Sequence, residues 1–283
     1  MNLGSSNHSD VLSSNLSINL ISASWFNILG FLGVWTIIWL PIALLLSRKI
    51  NWQPQEVLTP KQKLILLASL YILAPGIIAW KVNTEFLTWT DLGLSFNPSN
   101  LLFILLGLGA SAVSLVVIFC LESLGNLVTW HWQNLREIPT LWLPILGLSL
   151  LISLVEEVIF RGYIFITLLA DNSFWLAAIA ASVIFAGLHL IWERKQTLPQ
   201  LPGLWLMGMV LVIARILTSD TLYLAIGLHA GWIWGLTCID SANLLTYKYP
   251  NHWFTGLNQQ PLAGMAGILC LALTGLGIWT FSY

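Results

Sequence analysis

Apolar and polar residues alternate along this chain in long blocks, not at the short periods of amphipathic helices or strands. Eight apolar stretches fall near 25–47, 63–81, 100–121, 141–170, 174–192, 203–218, 221–239 and 261–281, with short polar segments between them. About 20 apolar residues cross the hydrocarbon core of a bilayer as a helix, so blocks of this length predict membrane spans. Within lipid each backbone N–H and C=O must be satisfied internally, which helices achieve within one segment. The expected fold is an all-α membrane protein, a polytopic bundle of about eight transmembrane helices. No self-similarity at periods of about 20–50 residues is visible, so inverted transporter repeats are not read here.

The pattern divides the chain into three parts. Residues 1–24 are rich in Ser and Asn and contain no Lys or Arg. They lack the basic start and apolar stretch of a signal peptide, and their composition predicts a disordered tail. Asn7 and Asn15 sit in N-x-S sequons there, a pattern that short polar tails produce often by chance. Residues 25–139 hold three spans, and 140–283 form a five-span region.

Composition agrees with the block pattern. Apolar residues make up 57% of the 283, and the mean hydropathy is +0.82. Charged residues are 8%, well below the roughly 25% typical of soluble domains. The chain's medium is thus a lipid bilayer. A net charge of -1, with basic residues singly or in pairs, excludes a nucleic-acid partner. Cys120, Cys238 and Cys270 lie inside apolar blocks without a CxxC pair and read as small hydrophobes. Many of the 16 Trp residues fall near block ends, among them Trp52, Trp80, Trp89, Trp142, Trp192 and Trp253, as in interfacial belts.

Loop charges set an orientation. Arg48, Lys49, Lys61, Lys63, Arg136, Arg194, Lys195 and Lys248 fall in alternate loops on one side, and only Lys81 falls on the other. Positive loops face the cytoplasm, so both termini are expected on the opposite face. The expected location is a bacterial plasma membrane.

Against this background a few ionisable residues stand out, because each costs about 2.5–3.5 kcal/mol at the centre of a span. The fourth block carries Glu156, Glu157 and Arg161. Glu157 and Arg161 are four apart and share a helical face, so they can pair. Glu156 is turned by about 100° and cannot share that arginine equally. The fifth block carries His189, one turn after Phe185. The seventh carries His229 between Gly227 and Gly231, whose missing side chains permit close approach. Each residue alone fits a structural role in holding helices together. Five such groups on three spans point to one polar intramembrane cavity.

Two chemistries fit that set. A carboxylate and an imidazole can hold a water and take its proton, while a second imidazole donates to a developing oxyanion. Alternatively, Glu156, His189 and His229 are competent zinc ligands, although the HExxH spacing of a helical zinc site is absent.

The ordered motifs Glu156-Glu157-x-x-x-Arg161, Phe185-x-x-x-His189 and a histidine on a later span resemble the CAAX protease and bacteriocin-processing (CPBP, Abi) family of intramembrane endopeptidases. The likeness covers about residues 145–240. It implies that Glu156 and His189 activate water, that Glu157 and Arg161 support them, and that His229 serves the oxyanion hole. It also implies a metal-free, glutamate-type mechanism, with a metalloprotease as the runner-up, and a membrane-embedded or lipid-linked peptide substrate. One position departs from the family pattern: Ile233 stands where members often carry Asn, four residues after the third-motif histidine. The leading expectation is an intramembrane endopeptidase whose site opens toward the cytoplasm. The alternatives are a peptide-binding or immunity-type scaffold, which the Ile233 departure favours, and a proton-coupled transporter using Glu156 and Glu157 as relays.

Depth adds one geometric expectation. His189 lies four residues before Glu193 and next to the Arg194–Lys195 pair, near the cytoplasmic surface. Glu156 lies about 22 Å into a straight span begun at Leu141. For the two to meet, residues 141–150 run along the interface or bend near Pro144 and Gly147, or the helix is strongly tilted; the first is expected, because the span is longer than a crossing needs.

Overall fold

The computed structural model describes residues 8–52, 59–191 and 194–280; up to residue 22 the backbone alone is described. Asn7, Trp192, Glu193 and loop position 55 lie outside these ranges, as do the side-chain surroundings of Asn15. Helices occupy all eight expected blocks. They are α1 (His8–Lys49), α2 (Pro60–Thr84), α3 (Asn100–Leu124), α4 (Ile138–Glu157) with its continuations, α6 (Phe174–Leu188), α8 (Leu201–Leu217), α9 (Tyr223–Ser241) and α10 (Met265–Thr280). Two shorter helices, α5 (Phe165–Asp171) and α7 (Arg194–Thr197), complete the set. The molecule is an all-α polytopic bundle.

Six segments are long and apolar enough to cross a membrane: Ala23–Lys49, Lys61–Thr84, Asn100–Leu124, Trp132–Asp171, Phe174–Ile191 and Arg194–Leu217. The apolar α10 is shorter. The helix α9 is not among the six. It carries three glycines, a histidine and an aspartate, and its first half is buried inside the bundle. Large apolar side chains such as Ile37, Ile72, Leu105 and Leu276 stand exposed on the outside, as lipid-facing positions do.

The backbone of α1 is helical from His8. Leu12, Leu16 and Leu20 recur every four residues through that polar stretch, the spacing of an apolar stripe on a helix. The helix α4 is continuous through Pro144 and Gly147. A proline inside a membrane helix gives up one N–H, which neighbouring groups can compensate. The departure lies further on: Val158–Ile164 is wound as a π-helix, which α5 then continues.

Local sequence explains several boundaries. Pro60 opens α2 behind a capping box in which the Gln62 N–H donates to Thr59 Oγ1 (3.3 Å) and the Thr59 N–H donates to Gln62 Oε1 (3.0 Å). Helices α3 and α9 run parallel in close contact. A side chain at Gly227 would stand 2.3 Å from the Ile104 carbonyl, and one at Gly231 would stand 1.7 Å from Ser111 Oγ. The small residues around His229 are thus what lets α3 approach.

One hydrophobic core runs from Ile28 and Phe31 of α1 through Ala74 and Ile78 of α2 to Phe185, Leu211 and Leu228. A feature the block pattern did not predict ties two loops together. Strands β1 (Val128–Trp130) and β2 (Leu245–Tyr247) pair antiparallel, with Val128 opposite Tyr247 and Trp130 opposite Leu245. The α3–α4 and α9–α10 connections therefore lie on one end of the bundle. At the other end Lys81 pairs with Glu85 at 2.6 Å, and Tyr163 donates to the same carboxylate at 2.9 Å.

Candidate active site

The fourth block, the fifth and the seventh meet inside the bundle. Glu157, wholly buried, accepts from Arg161 Nη1 at 3.0 Å through Oε1, as the four-residue spacing predicts. The same oxygen lies 2.7 Å from His229 Nδ1. On the other side of the imidazole, Nε2 stands 3.6 Å from Glu156 Oε2. His229 of α9 therefore lies between the two adjacent carboxylates of α4, hydrogen-bonded to Glu157 and 3.6 Å from Glu156.

The π-helical segment has consequences for this cluster. Its wider winding sends the Phe165 N–H to the Phe160 carbonyl, five residues back. The Arg161 carbonyl accepts from Arg215 Nη1, and Arg215 Nη2 donates to the Asp91 carbonyl at 2.9 Å. Arg215 is thus a buried clamp from α8, joining the turn that carries Arg161 to the loop before α3. Gly162 completes the fit, because a side chain there would stand 3.2 Å from the Leu92 carbonyl.

Phe185 forms the wall between the groups. The Arg161 guanidinium lies over its ring at 4.3 Å, and the rings of His189 and His229 meet it nearly edge-on at 4.6 and 6.0 Å. A guanidinium over an aromatic face retains part of the stabilisation it loses on leaving water. His189 sits where α6 passes into a single 3-10 turn, and its Nδ1 lies 2.8 Å from the Phe185 carbonyl. A carbonyl only accepts, so Nδ1 carries the proton and Nε2 keeps its lone pair.

A cavity of about 720 Å³ gathers Glu156, His189 and His229 along one wall and extends to Lys63, Gln196 and Gln260. Those three residues belong to the end of the bundle that carries β1 and β2 and the loops richest in Lys and Arg. The cavity volume falls within the usual range of ligand pockets. Among the described residues no hydrogen bond joins His189 to Glu156. What they share is this space.

Each residue singled out by sequence has a definite place. Glu156, Glu157, Arg161 and His229 form a connected cluster, while His189 joins them through Phe185 and the cavity. Ile233 also lines the cavity, one turn beyond His229, and offers no donor. Among the described residues no group of three or more His, Cys, Asp or Glu is arranged to hold a metal ion.

Sequence reasoning missed Tyr71. This residue of α2 donates its hydroxyl to Glu156 Oε1 and lines the cavity. Nothing in its surroundings, an apolar span with no other ionisable group nearby in sequence, marks it out. Glu156 Oε2 is buried and has no hydrogen-bond partner. One oxygen of that carboxylate is thus held, and the other remains able to accept.

Residues 138–235 match the family model described as type II CAAX prenyl endopeptidase, Rce1-like. The matched segment runs from the start of α4 into α9 and contains Glu156, Glu157, Arg161, His189 and His229. The resemblance read from the three motifs is borne out over this segment. Tyr71 lies outside it. No curated protein and no solved structure matches the chain.

Proposed function

We propose that this chain is an intramembrane endopeptidase that hydrolyses a peptide bond of a membrane-associated substrate by water activated between Glu156 and His189. The observation that carries the reading is the division of labour between the adjacent glutamates. Glu157 is committed to Arg161 and His229, whereas Glu156 keeps an unpartnered oxygen in a cavity that His189 also lines. The match of residues 138–235 to an endopeptidase family supports the same reading.

A water held by Glu156 Oε2 gives its proton to His189 Nε2, and its oxygen attacks the scissile carbonyl. The proton then passes to the leaving amine, restoring both groups. Stabilising the oxyanion falls to His229 Nε2, while Tyr71, whose one hydroxyl proton goes to Glu156 Oε1, holds that carboxylate in place. Because His229 Nδ1 already donates to Glu157, Nε2 is a donor only in the doubly protonated ring. The cavity mouth is assigned to the cytoplasmic side, where the positive loops belong.

The scaffold reading, in which the cavity binds a peptide without cutting it, draws on Ile233. The test is cleavage of membrane-peptide substrates by the purified protein against its Glu156→Gln and His189→Gln variants. Loss of about 10²–10⁴ in rate is expected for each. Binding without cleavage by the unaltered protein supports the scaffold instead.

A further inference from the structure

Glu122, near the end of α3, lines the same cavity as Glu156 but takes no part in the cluster around His229. It is 1% exposed, and its Oε2 has no hydrogen-bond partner. Among the described residues no ion pair reaches it. A buried carboxylate oxygen without a donor is costly, and native structures avoid it unless a ligand or a proton completes it. On another element, the Tyr247 phenol of β2 feels the charge of Glu122. Burial, and then the charges of Glu122 and Asp240, push its phenol up, so it remains neutral.

The position of Glu122 relative to the cluster follows from the parallel packing of α3 on α9. Gly227 approaches Ile104, Gly231 approaches Ser111, and Gly235 approaches Leu115. His229 therefore lies level with about residue 108 of α3. Glu122 is about fourteen residues further toward the mouth, roughly 20 Å at 1.5 Å per residue. The wall between them is mostly apolar: Leu115, Ile118 and Phe119 from α3, and Ile233 and Leu236 from α9. An extended chain covers roughly 20 Å in about six residues.

We infer that Glu122 is a specificity site that receives the ammonium or guanidinium of a Lys or Arg in the bound peptide, about six residues toward the cavity mouth from the scissile bond. This deepens the peptidase reading and rests on it for the register, but the binding it describes needs no cleavage. The intervening peptide residues are apolar, to match the wall they cross.

Binding separates the two claims. Full-length Glu156→Gln protein in phosphatidylcholine nanodiscs is titrated with fluorescein-labelled ten-residue peptides of Leu and Ala. These carry Lys, norleucine or Glu near one end, and each end is tried. The Lys peptide is expected to bind at least about tenfold more tightly than the norleucine peptide, the scale of a charge-assisted hydrogen bond in a buried site. Adding Glu122→Gln, which preserves shape, should erase the difference, and adding Glu122→Lys should transfer the preference to the Glu peptide. Equal binding of the three peptides, a Lys preference that survives Glu122→Gln, or no binding at all overturns the assignment. If binding follows charge but the unaltered protein cuts none of the peptides, the peptidase reading fails and the Glu122 site stands.

Discussion

Nδ1 of His229 lies 2.7 Å from Oε1 of Glu157, the same oxygen that takes the Arg161 guanidinium at 3.0 Å. This one contact fixes which face of the imidazole does what. With Nδ1 donating to the carboxylate oxygen that also takes the arginine, the ring turns Nε2 toward Glu156, 3.6 Å away. That gap is too long for a direct hydrogen bond and leaves Nε2 available to another partner. Replacing His229 with Phe removes an oxyanion donor, and kcat should fall about 10²–10³-fold. Glu157→Gln should lower kcat too, because the amide can present either a donor or an acceptor to Nδ1 and no longer fixes the tautomer. Steady-state kinetics of the two variants check both, with KM expected to move little.

Tyr71 is expected to matter for turnover. Tyr71→Phe removes only the hydroxyl that donates to Glu156 Oε1, so the fold should persist while kcat falls by about tenfold or more, the scale of one hydrogen bond to a charged group. Ile233→Asn places an amide one turn from His229, and by adding an oxyanion donor it should raise kcat in the otherwise unaltered protein. Equal activity of Tyr71→Phe and the unaltered protein refutes a role for the hydroxyl.

The buried pair Arg161–Glu157 should dominate stability. Arg161→Met leaves Glu157 charged and buried without its partner, an expected cost of about 3–5 kcal/mol. Arg161→Met combined with Glu157→Gln removes the stranded charge and should recover much of it. Thermal unfolding of the purified protein in detergent measures both, and a double variant as unstable as the single one contradicts the pairing argument.

Metal dependence discriminates between the two ways of activating water. Cleavage by Glu156 and His189 should survive a strong chelator, and the purified protein should hold no stoichiometric zinc. Loss of activity on chelation, restored by added zinc, would reassign Glu156, His189 and His229 as ligands.

Orientation is open to labelling. In a Cys120→Ser background, cysteines introduced at position 55 and at Gln196 should react from the cytoplasmic face, and one at the exposed Phe96 from the opposite face. Reaction of Gln196→Cys from the external face reverses the orientation and with it the direction from which substrate enters.

The sequence by itself determined what short-range physics dictates. Lipid imposes a composition on each span separately, so eight helical blocks and the one-sided loop charges could be read residue by residue. The Glu157–Arg161 pair was legible for the same reason, since residues four apart on a helix are neighbours wherever the helix goes. The tertiary structure decided the rest. Tyr71 meets Glu156 across 85 residues of chain, and His229 meets Glu157 across 72, because particular faces of α2, α4 and α9 pack together. A span that is apolar all round gives no sign of which face that will be. The π-helical turn after Glu157 was equally hidden. Arg215, 54 residues away, donates to the Arg161 carbonyl of that turn, and the Leu92 carbonyl approaches Gly162, partners that no local pattern reveals.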